Sequence, residues 1–363
     1  MRKGANELKS VELFTGAGGL AMGLELAGFQ HEALIEWDHD SCETIRENQR
    51  RGFALVRDWK IYEGDARAFD YKNIYSPVHL VAGGPPCQPF SLAGKHGGFN
   101  DSRDMWGEAV RAVRELRPQA FIFENVKGLL RSTFSDYFKY VLAQLANPSL
   151  TKERKSSWIK HSLRLRTEGQ PEYIVQYKLL NAADYGVPQK RERVFIVGFR
   201  ADLGIDWKFP EPTHVGKWVT VRQAISDLPA VSPKKPRSNV SNHLFQAGAK
   251  FYKGHTGSKL DLPAKTLKAG THGVPGGENM LVDDKGHCRY FSVREAARLQ
   301  CFPDGYVFPV SWSESMRQLG NAVPVQLGKV VGQSVAAVLK KSAATDPRVM
   351  SEFYDGRKKL QPA

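Results

Sequence analysis

The stretch Val11-Glu12-Leu13-Phe14-Thr15-Gly16-Ala17-Gly18-Gly19-Leu20 decides the fold. A short apolar run ends in a cluster of glycines, and a helical pattern starts at Leu20 and continues through Leu24 and Ala27. Strand, tight glycine turn and helix in that order predict the start of a β-α-β unit, since glycine readily takes the backbone angles that turn a strand end into a helix. A second strand at Ala33-Leu34-Ile35 ends in Glu36-Trp37-Asp38. Gly16, Gly18 and Ala21 satisfy G-x-G-x-x-A, the dinucleotide fingerprint, with the acid Glu36 about twenty residues on. On this motif alone an NAD enzyme stays open, because a carboxylate at Glu36 suits the ribose hydroxyls of any nucleoside cofactor.

Further runs at Ile61, Leu80, Phe121, Ile174 and Val194 read as strands. Helical patterns lie between several of them, such as Met105 through Leu116, which stops at Arg117-Pro118 because proline cannot continue a helix. This alternation predicts an α/β fold with a doubly wound, mainly parallel sheet. After Phe199 the chain turns Pro-, Gly- and Lys-rich with short apolar pieces, which predicts a second, smaller domain. The expected division is residues 1–200 for the large domain, 201–313 for the smaller one, 314–342 for a return to the large domain and 343–363 for a flexible tail. Ser292 with Glu295 forms a capping box for a short helix, and Asn321 precedes an apolar helix over Val323 to Leu339.

Three polar clusters border the apolar runs. Val78-His79-Leu80-Val81-Ala82 leads into Gly83-Gly84-Pro85-Pro86-Cys87-Gln88-Pro89-Phe90-Ser91, where prolines on both sides hold one thiol in a fixed direction. Phe121-Ile122-Phe123 ends in Glu124-Asn125-Val126, and Gln189-Lys190-Arg191-Glu192-Arg193 borders Val194-Phe195-Ile196-Val197. The strand ends of an open parallel sheet converge on one crevice, so a thiol, a carboxylate and two guanidiniums can meet there. Singly, each has a plain alternative: a buried cysteine, a solvated acid, surface arginines.

Together and in this order the blocks resemble the cytosine-5 DNA methyltransferases, of the compact bacterial kind associated with restriction and modification. Arg294-Glu295-Ala296-Ala297-Arg298-Leu299-Gln300 and Gly320-Asn321-Ala322-Val323-Pro324 complete the series. The resemblance implies that Cys87 adds to C6 of a flipped-out cytosine, Glu124 serves ring N3, Arg193 meets the pyrimidine O2 and Arg191 organises the neighbouring loop. The implied cofactor is S-adenosyl-L-methionine, leaving as S-adenosyl-L-homocysteine. Its pocket is implied at Phe14, Gly16, Gly18, Gly19, Leu20, Glu36, Trp37, Asp65, Ala66, Pro86 and Asn321, with Trp37 stacking on adenine. For DNA the candidates are Ser91, Arg103, Gln189, Thr266 and His272, with Glu278 and Asn279 reaching base edges; Pro86 to Asp104 is expected to close over the substrate.

Composition fits a polyanionic substrate: the formal net charge is +14 and the pI about 9.5. The excess concentrates in Lys152-Glu153-Arg154-Lys155 through Lys160, Arg164 and Arg166, either a solvated loop or an accessory phosphate contact. Cys42, Cys87, Cys288 and Cys301 lack paired metal spacing, so no metal is expected, and a working thiol needs reducing surroundings. Met1-Arg2-Lys3 precedes no apolar signal core, and no run approaches the ~18 apolar residues of a membrane span. The expectation is a cytoplasmic bacterial monomer acting on double-stranded DNA, with no membrane. A cognate restriction endonuclease would share its site without a stable complex. An RNA (tRNA) cytosine-5 methyltransferase and a non-catalytic DNA-binding regulator are the alternatives. The long segment between Phe199 and Phe291 favours DNA, and intact Cys87, Glu124 and Arg193 favour an enzyme.

Overall fold

The computed structural model describes residues 7–86, 104–168, 170–253, 256–269 and 279–345. All seven expected strands form one sheet: β1 (Leu8–Leu13), β2 (Phe29–Glu36), β3 (Ile61–Glu63), β4 (Leu80–Gly83), β5 (Ala120–Val126), β6 (Tyr173–Asn181) and β7 (Glu192–Arg200). Their spatial order is β3-β2-β1-β4-β5-β7-β6. The first five run parallel, whereas β7 is antiparallel to both β5 and β6. The chain winds outward from β1 in both directions, so the switch point lies between β1 and β4, where the strand carboxyl ends open a crevice.

Helices cover both faces. On one, α3 (Trp106–Leu116) and α4 (Ser135–Ala146) bury Trp106, Val113, Tyr137 and Val141 against Val11, Leu13, Phe121 and Phe123. α3 begins one residue after the expected Met105 and ends at Arg117, whose φ of 45° breaks the helix before Pro118. On the other face, α1 (Gly19–Leu26) and α9 (Val325–Thr345) cover Leu80, Ala82 and Ile122. Their approach needs glycine, since a Cβ on Gly19 would lie 2.4 Å from Val323 O and one on Gly23 2.6 Å from Lys329 N. Trp312–Ser342 is long and apolar enough to cross a bilayer by composition, contrary to the sequence expectation. Leu327, Val331, Val335 and Leu339 are buried in the same cluster as Leu20 and Leu24, which accounts for that apolar character.

The remaining elements are α2 (His39–Arg50), α5 (Trp158–Thr167), α6 (Val221–Ile225), α7 (Val293–Leu299), α8 (Trp312–Asn321) and a three-stranded sheet of β8 (Ser258–Lys259), β9 (Met280–Val282) and β10 (Cys288–Tyr290). The capping box of α7 is present, Ser292 and Glu295 each accepting from the other's backbone N–H. Apolar packing crosses both bounds of the expected 201–313 unit. Trp207 and Phe209 join the cluster of β7 and α9, and α7 with Phe302, Tyr306 and Phe308 packs on Ala17, Met22 and Ile45. Asn48 of α2 ties the two together, donating to Val307 O and accepting from Val307 N.

Candidate active site

β5 delivers Glu124 and Asn125 to the crevice, both buried. The arginines precede an apolar run, so a parallel β7 would carry them to the far edge. The antiparallel β7 pairs Arg193 with Val126 and Val194 with Asn125, which corrects the strand-end argument and explains the meeting. Arg193 Nε lies 2.7 Å from Glu124 Oε1, as an ion contact without an aligned hydrogen bond. Burial raises the Glu124 pKa, and Arg193 and then Arg191 only partly oppose the rise.

A role for Asn125, which its sequence pattern does not signal, emerges here. Asn125 Nδ2 donates to Pro85 O at 2.9 Å, and a Cβ on Gly84 would come within 3.3 Å of Glu124 Oε2. Strand β5 therefore fixes the direction in which Gly84-Pro85-Pro86 leaves β4. Cys87, Ser91, Arg103 and His272 lie outside the described residues. Of the other cysteines, Cys42 and Cys301 have thiols pushed up to about 12 by burial, which keeps both protonated and inert.

Three of the expected site residues brace the fold. Gln189 is fully buried, accepting from Leu267 N (2.9 Å) and donating to Leu299 O and Gln300 Oε1 (both 3.2 Å), so it is not at a DNA surface. Arg191, also fully buried, donates to Leu267 O, Gly320 O and Ala322 O at 3.0, 2.6 and 2.9 Å, an organiser of the chain and not a group facing a substrate. Asn279 is buried against Lys268, its amide accepting from the backbone N–H and donating to the carbonyl, so base edges are beyond its reach. Thr266 donates its hydroxyl proton to Lys190 O (2.7 Å), leaving only lone pairs for a further partner.

At the switch point, Phe14 takes φ 58° and Gly16 φ 55°, turning the chain above β1; positive φ is a costly state for a phenylalanine and marks a functional turn. The buried Glu36 accepts from the backbone N–H groups of Gly16 (2.7 Å), Trp37 (3.0 Å) and Asp38 (2.8 Å). Burial still raises its pKa, with those donors opposing. Trp37 beside it is 77% exposed, too open for a core residue. Asp65 caps a short turn containing Ala66 and pairs with Arg67, which holds its carboxylate low. Thr15 Oγ1 is buried and finds no hydrogen-bond partner among the described residues. Leu20 departs from its expected cofactor role: its side chain is buried against Gly328 of α9. Asn321 ends α8 exposed. Glu12, unmarked in the sequence, is buried under α1, and burial pushes its pKa well up. No group of His, Cys, Asp or Glu arranged to hold a metal ion occurs among the described residues.

A doubly wound sheet with a glycine turn and ribose-type acid at its switch point is the scaffold of an S-adenosylmethionine-dependent methyltransferase. The C-5 cytosine-specific DNA methylase family model matches residues 8–337. The chain is 34% identical over 343 residues to the type II methyltransferase M.NgoMIV of Neisseria gonorrhoeae, covering 92% of this chain and 99% of that one. It is 32% identical over 368 residues to M.Eco47II of Escherichia coli, covering 91% and 79%. A solved Spodoptera frugiperda DNMT2 mutant shares the fold, with a TM-score of 0.64 at 19% identity over 92% of this chain and 99% of that one. The protein belongs to the C-5 cytosine-specific DNA methylase family.

Proposed function

We propose that this protein methylates C5 of a flipped cytosine in duplex DNA through a covalent Cys87 adduct, as the modification enzyme of a type II restriction-modification system. What carries the proposal is the buried contact of Glu124 with Arg193, beside a Pro85 that Asn125 holds in place two residues before Cys87. Arg193 touches the buried Glu124 carboxyl and Arg191 lies close enough to act on it, which sets two cations at the root of the segment bearing the thiol. Such a field favours the thiolate. Cys87 Sγ would add to ring C6, forming the S–C6 bond and moving an electron pair toward C5 and N3. Glu124 would hold a proton at N3, where charge develops. Arg193 would hold O2. Removal of the C5 proton after transfer would expel the Cys87 thiolate and restore the ring.

S-adenosylmethionine supplies an electrophilic methyl group when bound. The residues at the switch point fit it: a carboxylate at Glu36 for ribose hydroxyls, an open indole at Trp37 for adenine, and a Thr15 hydroxyl under the turn with no partner among the described residues. Trp37→Ala should weaken S-adenosylhomocysteine binding by about 10-fold in calorimetry, the magnitude of one lost base–aromatic stack. Its melting temperature should stay put, because an exposed ring contributes little to the core. A variant that binds as tightly as wild type would remove Trp37 from the cofactor site.

The covalent step is tested with a random-sequence duplex pool synthesised with 5-fluorocytosine in place of cytosine. With S-adenosylmethionine present, wild-type protein should form a denaturation-resistant adduct, because fluorine blocks the final elimination. Cys87→Ala should form none while still retaining DNA in a gel shift. An adduct that survives Cys87→Ala, or none with wild type, would overturn the mechanism.

A further inference from the structure

The basic segment at 152–166 follows the carboxyl end of α4, packs back on that helix through Trp158 and His161, and has no part in the site described. It holds six cations against one carboxylate. Arg164 is engaged with Glu153 (2.9 Å) and Glu168 (2.9 Å). Lys152, Arg154, Lys155, Lys160 and Arg166 are exposed and make no ion pair among the described residues. A flexible tether would dilute such charge, but this segment is pinned. His161, buried, accepts from Tyr140 Oη at Nδ1 (2.8 Å) and donates from Nε2 to Leu150 O (2.8 Å). Burial lowers its pKa, in keeping with that neutral tautomer, and Trp158 packs edge-on to Tyr140.

Position makes the charge informative. Lys152 and Trp158 line a cavity of about 150 Å³ together with Asp104, Trp106, Tyr137 and Tyr140. Asp104 is the first described residue after the segment carrying Cys87, and Trp106 packs edge-on against Phe123, the residue before Glu124. Lys152, at the head of the cation cluster, therefore shares a cavity with the residues that open α3, directly after the segment that carries Cys87.

We propose that this arm, Lys152 to Arg166, binds the phosphate backbone of duplex DNA flanking the target site. The proposal rests on the reading of the protein as a DNA methyltransferase and adds a sequence-independent contact surface to it. Five exposed cations without an ion pair among the described residues, on an arm anchored at Trp158 and His161, present positive charge to phosphates, and release of condensed counterions supplies the affinity. The arm makes no contact that would read bases, so its effect should depend on duplex length and salt, not on sequence.

The test compares wild type with a variant carrying Lys152→Gln, Arg154→Gln, Lys155→Gln and Lys160→Gln. A control with the same charge change carries Arg57→Gln, Lys72→Gln, Lys208→Gln and Lys340→Gln at exposed positions elsewhere. Binding to random-sequence duplexes of about 40 and about 12 base pairs is measured between 50 and 200 mM salt, with methyl transfer into unmethylated plasmid DNA in parallel. If three or four of these cations meet phosphates, the slope of log affinity against log salt on the long duplex should fall by about 3, and low-salt affinity by 10-fold or more. The short duplex should show less of this, kcat on plasmid should hold, and the control should match wild type. Equal salt slopes for the arm variant and the control would overturn the proposal while wild-type methyl transfer still upheld the enzyme reading. Absence of transfer by wild type would instead overturn that reading.

Discussion

Glutamine in place of Glu124 should lower methyl transfer into plasmid DNA by about 10²–10⁴-fold, the range for a lost general acid, with DNA retention and melting temperature near wild type. Glutamine keeps the shape of the side chain, and its carbonyl still faces Arg193, so the buried contact survives in part. It can donate a hydrogen bond toward ring N3 but cannot surrender a proton there as negative charge builds. The pH profile separates the proton from the shape. Burial raises the Glu124 pKa, so the neutral carboxyl is present below the folded value and is lost as pH rises through it. Thiolate formation at Cys87 rises with pH, so wild-type transfer should climb and then fall. The glutamine variant should keep the climb and lose the part of the fall due to Glu124. An unchanged alkaline limb, or a rate within threefold of wild type, would remove Glu124 from the proton's path.

Local patterns made the sheet legible: each strand announces itself as an apolar run, and Arg117-Pro118 marks the end of α3. Glu36, Trp37 and Glu124 were legible for a related reason, since polar or aromatic groups at strand ends have little choice but to face the crevice. The direction of β7 was not. Nothing in Arg193-Val194-Phe195-Ile196 says which way the strand runs, yet that direction alone sets Arg193 beside Glu124. Gln189 and Asn279 looked like DNA contacts because polar side chains in loops usually meet solvent; tertiary partners 78 and 11 residues away bury them instead. Trp207 and Phe302 likewise choose their neighbours from distant segments, which no local pattern announces. Residues that brace across the fold carry no local signature, whereas residues that face a ligand from a strand end do.

Arg191→Ala should therefore fail by unfolding and not by chemistry. One buried guanidinium ties the start of β7 to Leu267 and to Gly320 and Ala322 at the α8–α9 junction. Truncation leaves Leu267 O and Gly320 O without that donor, at about 1–3 kcal/mol each where water cannot reach, while Ala322 O keeps Gln300 Nε2 at 3.3 Å, so a loss of about 2–6 kcal/mol and roughly 10 °C in melting temperature follows. Lysine should not rescue it, since a single ammonium on a flexible stem cannot span three diverging carbonyls as a planar fork does. Arg193→Ala offers the contrast. Its loss leaves Glu124 without its ion partner in a buried site, which the carboxyl meets by staying protonated, so the fold should survive while transfer falls. Thermal melts followed by circular dichroism, run beside methyl-transfer assays at 20 °C, distinguish the two arginines. If Arg191→Ala melted with wild type yet lost transfer, the residue would belong with the reacting groups, and its carbonyl contacts would be incidental to a role at the substrate.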